Sequence, residues 1–193
     1  MAKFETLTSH AVPLPVENVD TDQIIPARFL KVTTKEGLGE KLFCDWRYDG
    51  DGNPNPDFVL NQPESKGAQI LLAGHNFGSG SSREHAPWAL HDWGIRAIVS
   101  TGFADIFKSN SLKNGVLPVE VNAETHAQLL EQVQRDRSTQ IHIDLKSQTL
   151  SGPGGLETKF DIDEFSKHCL LNGIDQLGYI LGFEEQILAH EEK

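Results

Sequence analysis

A glycine-rich stretch that follows a short apolar run constrains this chain more than any other feature. Residues 74–85 read GHNFGSGSSREH, and the apolar residues 70–73 precede them. Glycine permits positive φ angles and lets the backbone approach a ligand closely. Free N–H groups at the start of a helix favour an anion. The sequence therefore predicts a strand, a bend and a helix start that together hold a small acidic molecule.

Three polar side chains in this bend are the candidate functional groups. Arg83 offers a planar fork that suits a carboxylate, and Ser81 and Ser82 add hydroxyl groups before it. Ser81 could act as a base if local donors and positive charge stabilise its oxyanion. Ser81 and Glu84 also have the spacing of a helix capping box, a purely structural role, although Pro87 favours a later helix start.

Arg83 has an alternative role as one half of a surface ion pair. Its acidic partner in that case would be Asp20, Asp22 or Glu84. Isolated surface pairs contribute little to stability, so anion binding is the favoured interpretation. Asp20 and Asp22 are then either a solvated pair in a turn or groups that orient the arginine.

The bend lacks the motifs of other common sites. A P-loop needs a lysine after its glycines, a dinucleotide fingerprint needs a third glycine, and a nucleophile elbow needs the frame G-x-S-x-G. The spacing of His75, His85 and His91 matches no zinc pattern. We therefore expect hydrogen-bonding histidines and no metal site in this chain.

Composition excludes several classes of protein. The chain has 193 residues and a net charge of −11, and it lacks the lysine and arginine cluster that nucleic-acid binding needs. It shows no apolar run of membrane-spanning length and no secretion signal. Its two cysteines form no CxxC motif, which is typical of reduced thiols in the cytoplasm. We expect a single cytoplasmic domain over residues 1–193 that binds neither nucleic acid nor membrane.

Alternating strand and helix patterns predict an α/β fold with a mainly parallel sheet and flanking helices. The predicted strands are residues 70–73, 96–100, 116–119 and 141–145, and the predicted helices are residues 83–93, 103–114, 123–133 and 184–192. Pro118 favours an edge position for its strand. A hairpin-type connection is predicted at residues 151–155, and Asp161 with Glu164 predicts a capping box before a helix over residues 165–171.

Two segments are predicted to be mobile loops. Residues 31–40 contain two threonines and two glycines, and residues 49–57 read DGDGNPNPD, a composition typical of turns. We expect the first loop to be disordered in the isolated chain, because a bound substrate would be its contact.

Several blocks of sequence resemble one enzyme family. GSSREH at residues 80–85 resembles the signature of the aconitase swivel domain. Further blocks are similar to the small subunits of bacterial 3-isopropylmalate dehydratases, and these blocks are NVDTDQIIP at 18–26, DWRY at 45–48, NPDFVLN at 55–61, HAPWAL at 85–90 and FADIF at 103–107. The resemblance covers nearly the whole chain and implies a swivel domain with β/β/α layers.

This resemblance implies a hydro-lyase of leucine biosynthesis. Enzymes of the family interconvert 2-isopropylmalate and 3-isopropylmalate through isopropylmaleate, by removing water and adding it back. By match to the aconitase signature, Ser81 would take the carbon-bound proton, and Ser82 and Arg83 would hold a substrate carboxylate. Asp22, which belongs to the Thr-Asp block, and Gly80 would support the site.

The resemblance also implies a [4Fe–4S] cluster with one open iron that binds the departing hydroxyl. Such a cluster needs three thiolates, and this chain has only Cys44 and Cys169. The chain would therefore bind no cofactor itself. The cluster would lie on a larger partner subunit, and this chain would form half of a shared site in a heterodimer.

Substrate choice is expected in the loop after Leu30, where the enzyme must accept an alkyl group in place of a carboxylate. The candidate specificity residues are Val32, Thr33, Thr34, Lys35 and Leu38, with Val32 or Leu38 against the alkyl group. Many relatives carry an arginine in this loop and a cysteine at position 79, where this chain has lysines and Ser79.

Two alternative functions remain open from the sequence. One is the small subunit of a related dehydratase, such as a homoaconitase or a dimethylmalate dehydratase. The other is a stand-alone dicarboxylate-binding module that needs no partner. Activity assays on isopropylmaleate, homoaconitate and dimethylmalate would distinguish the three dehydratases. Co-purification with a cluster-bearing protein would distinguish a subunit from a stand-alone module.

Overall fold

The computed structural model of the chain describes residues 2–183, so the helix predicted at residues 184–192 lies outside the described residues. Its strands are β1 (Thr6–Leu14), β2 (Ile70–Ala73), β3 (Ala97–Ser100), β4 (Leu117–Glu120), β5 (Gln140–Asp144), β6 (Thr149–Ser151) and β7 (Glu157–Lys159). Its α-helices are α1 (Thr21–Ile24), α2 (Cys44–Arg47), α3 (His85–Trp93), α4 (Asp105–Lys113), α5 (Ala123–Arg135), α6 (Glu164–Asn172) and α7 (Gln176–Leu181).

The strands form one sheet in the order β4-β3-β2-β1-β5-β6-β7. Strands β1 to β4 pair in parallel, and β5 to β7 extend the sheet from β1 in antiparallel fashion. The predicted α/β class is confirmed, with an antiparallel half added to the parallel one. Pro118 lies on β4 at the edge of the sheet, as its missing N–H donor predicts.

Strand β1 is central in the sheet but is absent from the elements predicted from the sequence. Its polar residues Thr6 and Thr8 alternate with the buried Leu7 and Ser9, so only its first half shows a period of two. Pro13, which has no N–H donor, lies within β1 and is accommodated opposite Leu72 in the parallel pairing with β2.

Apolar residues on the two faces of the parallel sheet form two separate cores. Leu71 and Ile98 pack on one face with helix α3, while Leu72 and Val99 pack on the other face with helix α5. This alternation follows from the period of two along a strand. No helix within residues 2–183 has both the length and the apolar character needed to cross a bilayer.

Three predictions about helix starts need correction, and the first is that α4 begins at Asp105 instead of residue 103. Helix α3 begins at His85 instead of residue 83, and Gly94 ends it in the left-handed region. The N-cap of α6 is Asp163 instead of Asp161, and its carboxylate accepts a hydrogen bond from the Ser166 N–H at 2.8 Å. Helix α3 thus starts two residues later than predicted, whereas α6 begins at Glu164, one residue before its predicted start, and only its capping residue lies two positions later than predicted.

Candidate functional site

Segments that follow β1 and β2 meet at the carboxyl edge of the parallel sheet. The Asn18 N–H donates to the His75 carbonyl at 2.8 Å, and the Gly78 N–H donates to the Val19 carbonyl at 2.8 Å. Asp20 and Ser79 form a parallel bridge. These backbone bonds fix the glycine-rich bend, residues 74–84, against the segment of residues 18–22.

Two glycines are required by the shape of the bend. Gly78 has a φ of +80°, and a Cβ atom there would lie 2.1 Å from Cγ of Phe107. Gly80 has a φ of +90°, a backbone conformation that residues other than glycine rarely adopt. The close approach of Gly78 to an aromatic ring explains the glycine there, and the turn itself explains Gly80.

Ser81 and Ser82 lie exposed on the outer side of the bend. The capping interpretation of Ser81 is wrong, because α3 starts after Glu84 and has no side-chain cap. Within residues 2–183, neither the Ser81 hydroxyl nor the Ser82 hydroxyl has a hydrogen-bond partner. Both hydroxyl groups are therefore free to contact a ligand or another protein.

Arg83 is oriented by an ion pair with Asp22. The guanidinium Nη1 donates a hydrogen bond to the Asp22 carboxylate, and the two side chains are 16% and 52% exposed. Among the three acidic residues considered from the sequence, Asp22 is the partner. A guanidinium has five N–H donors, and within residues 2–183 the bond to Asp22 is the one hydrogen bond that the Arg83 side chain makes.

The short helix α1 carries Asp22 in a fixed position. Its N-cap, Asp20, accepts a hydrogen bond from the Gln23 N–H at 2.8 Å, and the Gln23 side chain accepts one from the Asp20 N–H at 2.8 Å. Ile24 at its end is fully buried. This reciprocal cap and the buried end hold a helix that would be too short to persist alone.

The predicted hydrogen-bonding histidines are confirmed for His75 and His85. A ring nitrogen of His75 bonds Thr101 Oγ1 at 3.1 Å, and His85 Nε2 donates to the Val32 carbonyl at 3.0 Å. His91 is half-buried, and burial lowers its pKa below the usual value. Across residues 2–183 no three histidine, cysteine or acidic side chains cluster in a way that could hold a metal ion.

The loop predicted to set specificity, residues 31–38, lies beside helix α3, where the Val32 carbonyl accepts the hydrogen bond from His85. Residues 31–37 are exposed, and the Lys35 ammonium donates to Asn114 Oδ1 at 2.8 Å. Val32 is 43% exposed, whereas Leu38 is 3% exposed and belongs to the core. Thr33 and Thr34 are exposed beside Val32. Val32, and not Leu38, is therefore the apolar side chain of this loop that a ligand can reach.

The thiols of this chain do not fit an iron–sulfur cluster. Cys44 and Cys169 are both buried and free, and they lie on different helices, α2 and α6. Burial raises the pKa of both thiols, which disfavours the thiolate that binds iron. Two such thiols cannot supply the three ligands that a cluster with an open iron needs.

Two asparagines, one in the bend and one in the segment of residues 18–22, were not identified as site residues from the sequence. Asn18 and Asn76 both have a φ of 55°, and the Asn76 amide donates to Asn18 Oδ1 at 2.9 Å. Asparagine is one of the few residues with a side chain that tolerate this left-handed region. Each asparagine lies just after a strand, β1 or β2. This position indicates that the two meet only when β1 and β2 are known to be neighbours in the sheet.

Comparison with known proteins shows the family. The family model described as the aconitase C-terminal domain matches residues 1–124, and the LeuD_N model matches residues 127–164. The 3-isopropylmalate dehydratase small subunit of Solibacter usitatus is 58% identical over 191 residues, which cover 99% of this chain and 94% of that protein. The protein of the same name from Roseiflexus castenholzii is 55% identical with the same coverage of both chains.

A solved structure shows the same fold at lower sequence identity. The crystal structure of 3-isopropylmalate dehydratase (leuD) from Methanocaldococcus jannaschii matches with a TM-score of 0.67 and 23% identity, over 97% of this chain and 99% of that chain. The fold resemblance and the full-length sequence identity agree with the blocks that first indicated the family. The chain therefore belongs to the family of 3-isopropylmalate dehydratase small subunits within the aconitase superfamily of folds.

Proposed function

We propose that this chain is the small subunit of a 3-isopropylmalate dehydratase and is active only together with a large subunit. The reaction would be the interconversion of 2-isopropylmalate and 3-isopropylmalate through isopropylmaleate in leucine biosynthesis. Relatives named for that subunit support the assignment over nearly the full chain. The observation that carries it is that one glycine bend exposes the Ser81 hydroxyl, which has no hydrogen-bond partner within residues 2–183, two residues before the anchored guanidinium of Arg83.

Arg83 and Ser82 would hold a substrate carboxylate. A guanidinium whose orientation is set by Asp22 presents its remaining N–H donors as a fork that matches the two carboxylate oxygens. Ser82 is exposed next to it and can donate a further hydrogen bond. In this role Asp22 reduces the side-chain entropy that Arg83 loses on binding.

Ser81 would move the proton between carbon and oxygen. As an oxyanion, its Oγ takes the proton from the substrate carbon, and the electron pair of the C–H bond forms the double bond as the neighbouring hydroxyl departs. In the hydration direction Ser81 returns the proton. The charge on Oγ needs stabilisation, which the guanidinium of Arg83 and the backbone amides of the bend after Gly80 would supply.

The open position of the bend supports a site that is shared between two proteins. Cavities of about 840 Å³ beside Arg28, about 600 Å³ beside Trp46 and about 490 Å³ beside Pro118, found among residues 2–183, are lined by residues outside the bend. A reaction that excludes water needs a second surface over Ser81. We assign that surface, and the [4Fe–4S] cluster that Cys44 and Cys169 cannot hold, to the large subunit, in a cytoplasmic heterodimer.

The experiment that tests this function is assembly of this chain with a large subunit, followed by iron analysis and assays on three substrates. We expect iron in the complex and turnover of isopropylmaleate well above turnover of homoaconitate or dimethylmaleate. Preference for either of the other two substrates would assign the chain to a related dehydratase. A stable monomer that binds a dicarboxylate and captures no cluster-bearing partner would contradict the proposal.

A further inference from the structure

Thr21 links the two segments that form the candidate site. Its side chain is only 2% exposed. Its N–H donates to the Ser79 carbonyl at 2.9 Å, and its hydroxyl donates to the Ser81 carbonyl at 3.0 Å. One residue of α1 therefore holds the bend on both sides of Gly80.

The bend needs such an anchor at this point. Gly80 has a φ of +90° and no side chain, so its backbone is intrinsically free. The Ser81 and Ser82 side chains are exposed and contribute no hydrogen bonds of their own within residues 2–183. The Thr21 hydroxyl is thus the one side-chain group, among the described residues, that hydrogen-bonds the backbone of Ser81.

Thr21 also stands next to Asp22, which orients Arg83. The two residues are consecutive in α1, a helix whose start is fixed by the Asp20–Gln23 cap. One residue of this helix holds the Ser81 backbone, and the next holds the Arg83 side chain. The helix therefore sets the spacing between the hydroxyl and the guanidinium.

We infer that Thr21 is a positioning residue for Ser81, an inference that rests on the function proposed above. By turning the Ser81 carbonyl inward, its hydroxyl fixes the direction in which the Ser81 side chain leaves the bend. Loss of that hydroxyl leaves the contact between Asp22 and Arg83 in place. The change should therefore reduce the rate of proton transfer more than the affinity for the carboxylate.

The test compares Thr21→Val with Thr21→Ser in the enzyme assembled with its large subunit. Thr21→Val keeps the shape of the side chain and removes its hydroxyl. We expect kcat to fall about tenfold to a hundredfold, because a small displacement of a reacting group has an effect of that size. We expect KM to change by less than about threefold, since uniform binding is preserved. Thr21→Ser restores the hydroxyl and should restore kcat.

Thr139→Val is the matched control. Thr139 is also buried, at 8% exposure, and its hydroxyl donates to the Gln132 carbonyl at 3.3 Å, far from the bend in the sequence. We expect this variant to lose stability to a similar extent as Thr21→Val while its kcat stays that of the parent enzyme. Equal losses of kcat in both variants would overturn the inference, because stability alone would then explain them.

A second readout does not depend on activity. In the isolated full-length chain, backbone order parameters of residues 80–82 measured by NMR should fall from about 0.85 toward 0.6 in Thr21→Val and stay high in Thr21→Ser. If Thr21→Val does not fold, Thr21→Ala compared with Thr21→Ser isolates the hydroxyl in the same way. Unchanged order parameters would overturn the inference.

Ser81→Ala separates failure of this inference from failure of the proposed function. If Ser81→Ala retains turnover, the function proposed for Ser81 is wrong whatever Thr21 does. If Ser81→Ala is inactive and Thr21→Val keeps the kcat and the order parameters of the parent, only the positioning role of Thr21 is wrong.

Discussion

Arg83 donates a hydrogen bond to the carboxylate of Asp22, a residue 61 positions earlier in the chain. The arginine side chain is mostly buried, but the aspartate is 52% exposed. Ion pairs with an exposed partner contribute at most about 1 kcal/mol to stability. The ion pair therefore serves mainly to orient the guanidinium. Breaking it should affect substrate binding more than the free energy of unfolding.

Asp22→Asn tests that orienting role. We expect KM for the dicarboxylate to rise several-fold, because an amide holds the guanidinium less firmly than a carboxylate does. The free energy of unfolding should fall by less than about 1 kcal/mol. Steady-state kinetics of the assembled enzyme and urea unfolding of the isolated chain measure the two effects.

Glu120→Gln is the control for this change, because it breaks another ion pair, between Glu120 and Lys108. The Glu120 side chain is 48% exposed and the Lys108 side chain is 35% exposed. This variant should lower stability as little as Asp22→Asn and leave KM unchanged. An equal rise of KM in both variants would show that net charge, and not the orientation of Arg83, controls binding.

Arg83→Lys tests the carboxylate contact itself. Lysine keeps the charge but loses the planar fork, so we expect KM to rise by about tenfold or more, in line with about 1.5–3 kcal/mol for a hydrogen bond to a charged group. Arg137→Lys, whose guanidinium contacts Ser65 outside the bend, is the control and should leave KM as it is. Substrate binding that tolerates lysine at position 83 would point to a purely structural arginine.

Gly78→Ala tests the tight packing of the bend. Its new Cβ would overlap the Phe107 ring at 2.1 Å and would require a φ of +80°, so we expect a loss of about 3–5 kcal/mol in unfolding free energy. Gly52→Ala shares the positive φ of +84° but meets no atom within 4 Å, and should lose only about 1–2 kcal/mol. Similar losses at both positions would mean that Phe107 moves aside.

The mobility predicted for residues 31–40 can be made more specific. Residues 31–37 are exposed, whereas Leu38 is buried and the Gly39 N–H donates to the Asp92 carboxylate at 2.7 Å. We expect fast amide hydrogen exchange over residues 31–37 of the isolated chain and protection from Leu38 onward. Uniform protection across the loop would contradict its predicted mobility.

The sequence was most informative where the signal is local. The glycines, serines and arginine of the bend lie within a few residues of each other, so a glycine bend between β2 and helix α3 could be predicted from spacing alone, and the roles of Ser81 and Arg83 there stay predictions. The βαβ units from β2 to β4 were likewise predicted, because their apolar runs alternate with helical patterns over short distances. The fold class followed from these units.

The remaining features depend on contacts between distant segments. Which acidic residue meets Arg83 depends on the pairing of β1 with β2, and β1 itself is obscured by Pro13 and by its polar first half. The burial of Leu38 depends on the packing of the loop against helix α3. The role of Thr21 needs the same pairing, since its hydroxyl reaches a carbonyl 60 residues away.

The most direct test of this account is kcat for Ser81→Ala in the enzyme assembled with its large subunit. Because the Ser81 side chain is exposed and without a hydrogen-bond partner within residues 2–183, the variant should fold and assemble as the parent does. We expect kcat to fall by about a hundredfold to ten-thousandfold, the range for loss of a general base. Near-normal turnover by a correctly assembled variant would contradict the assignment of Ser81 as the base.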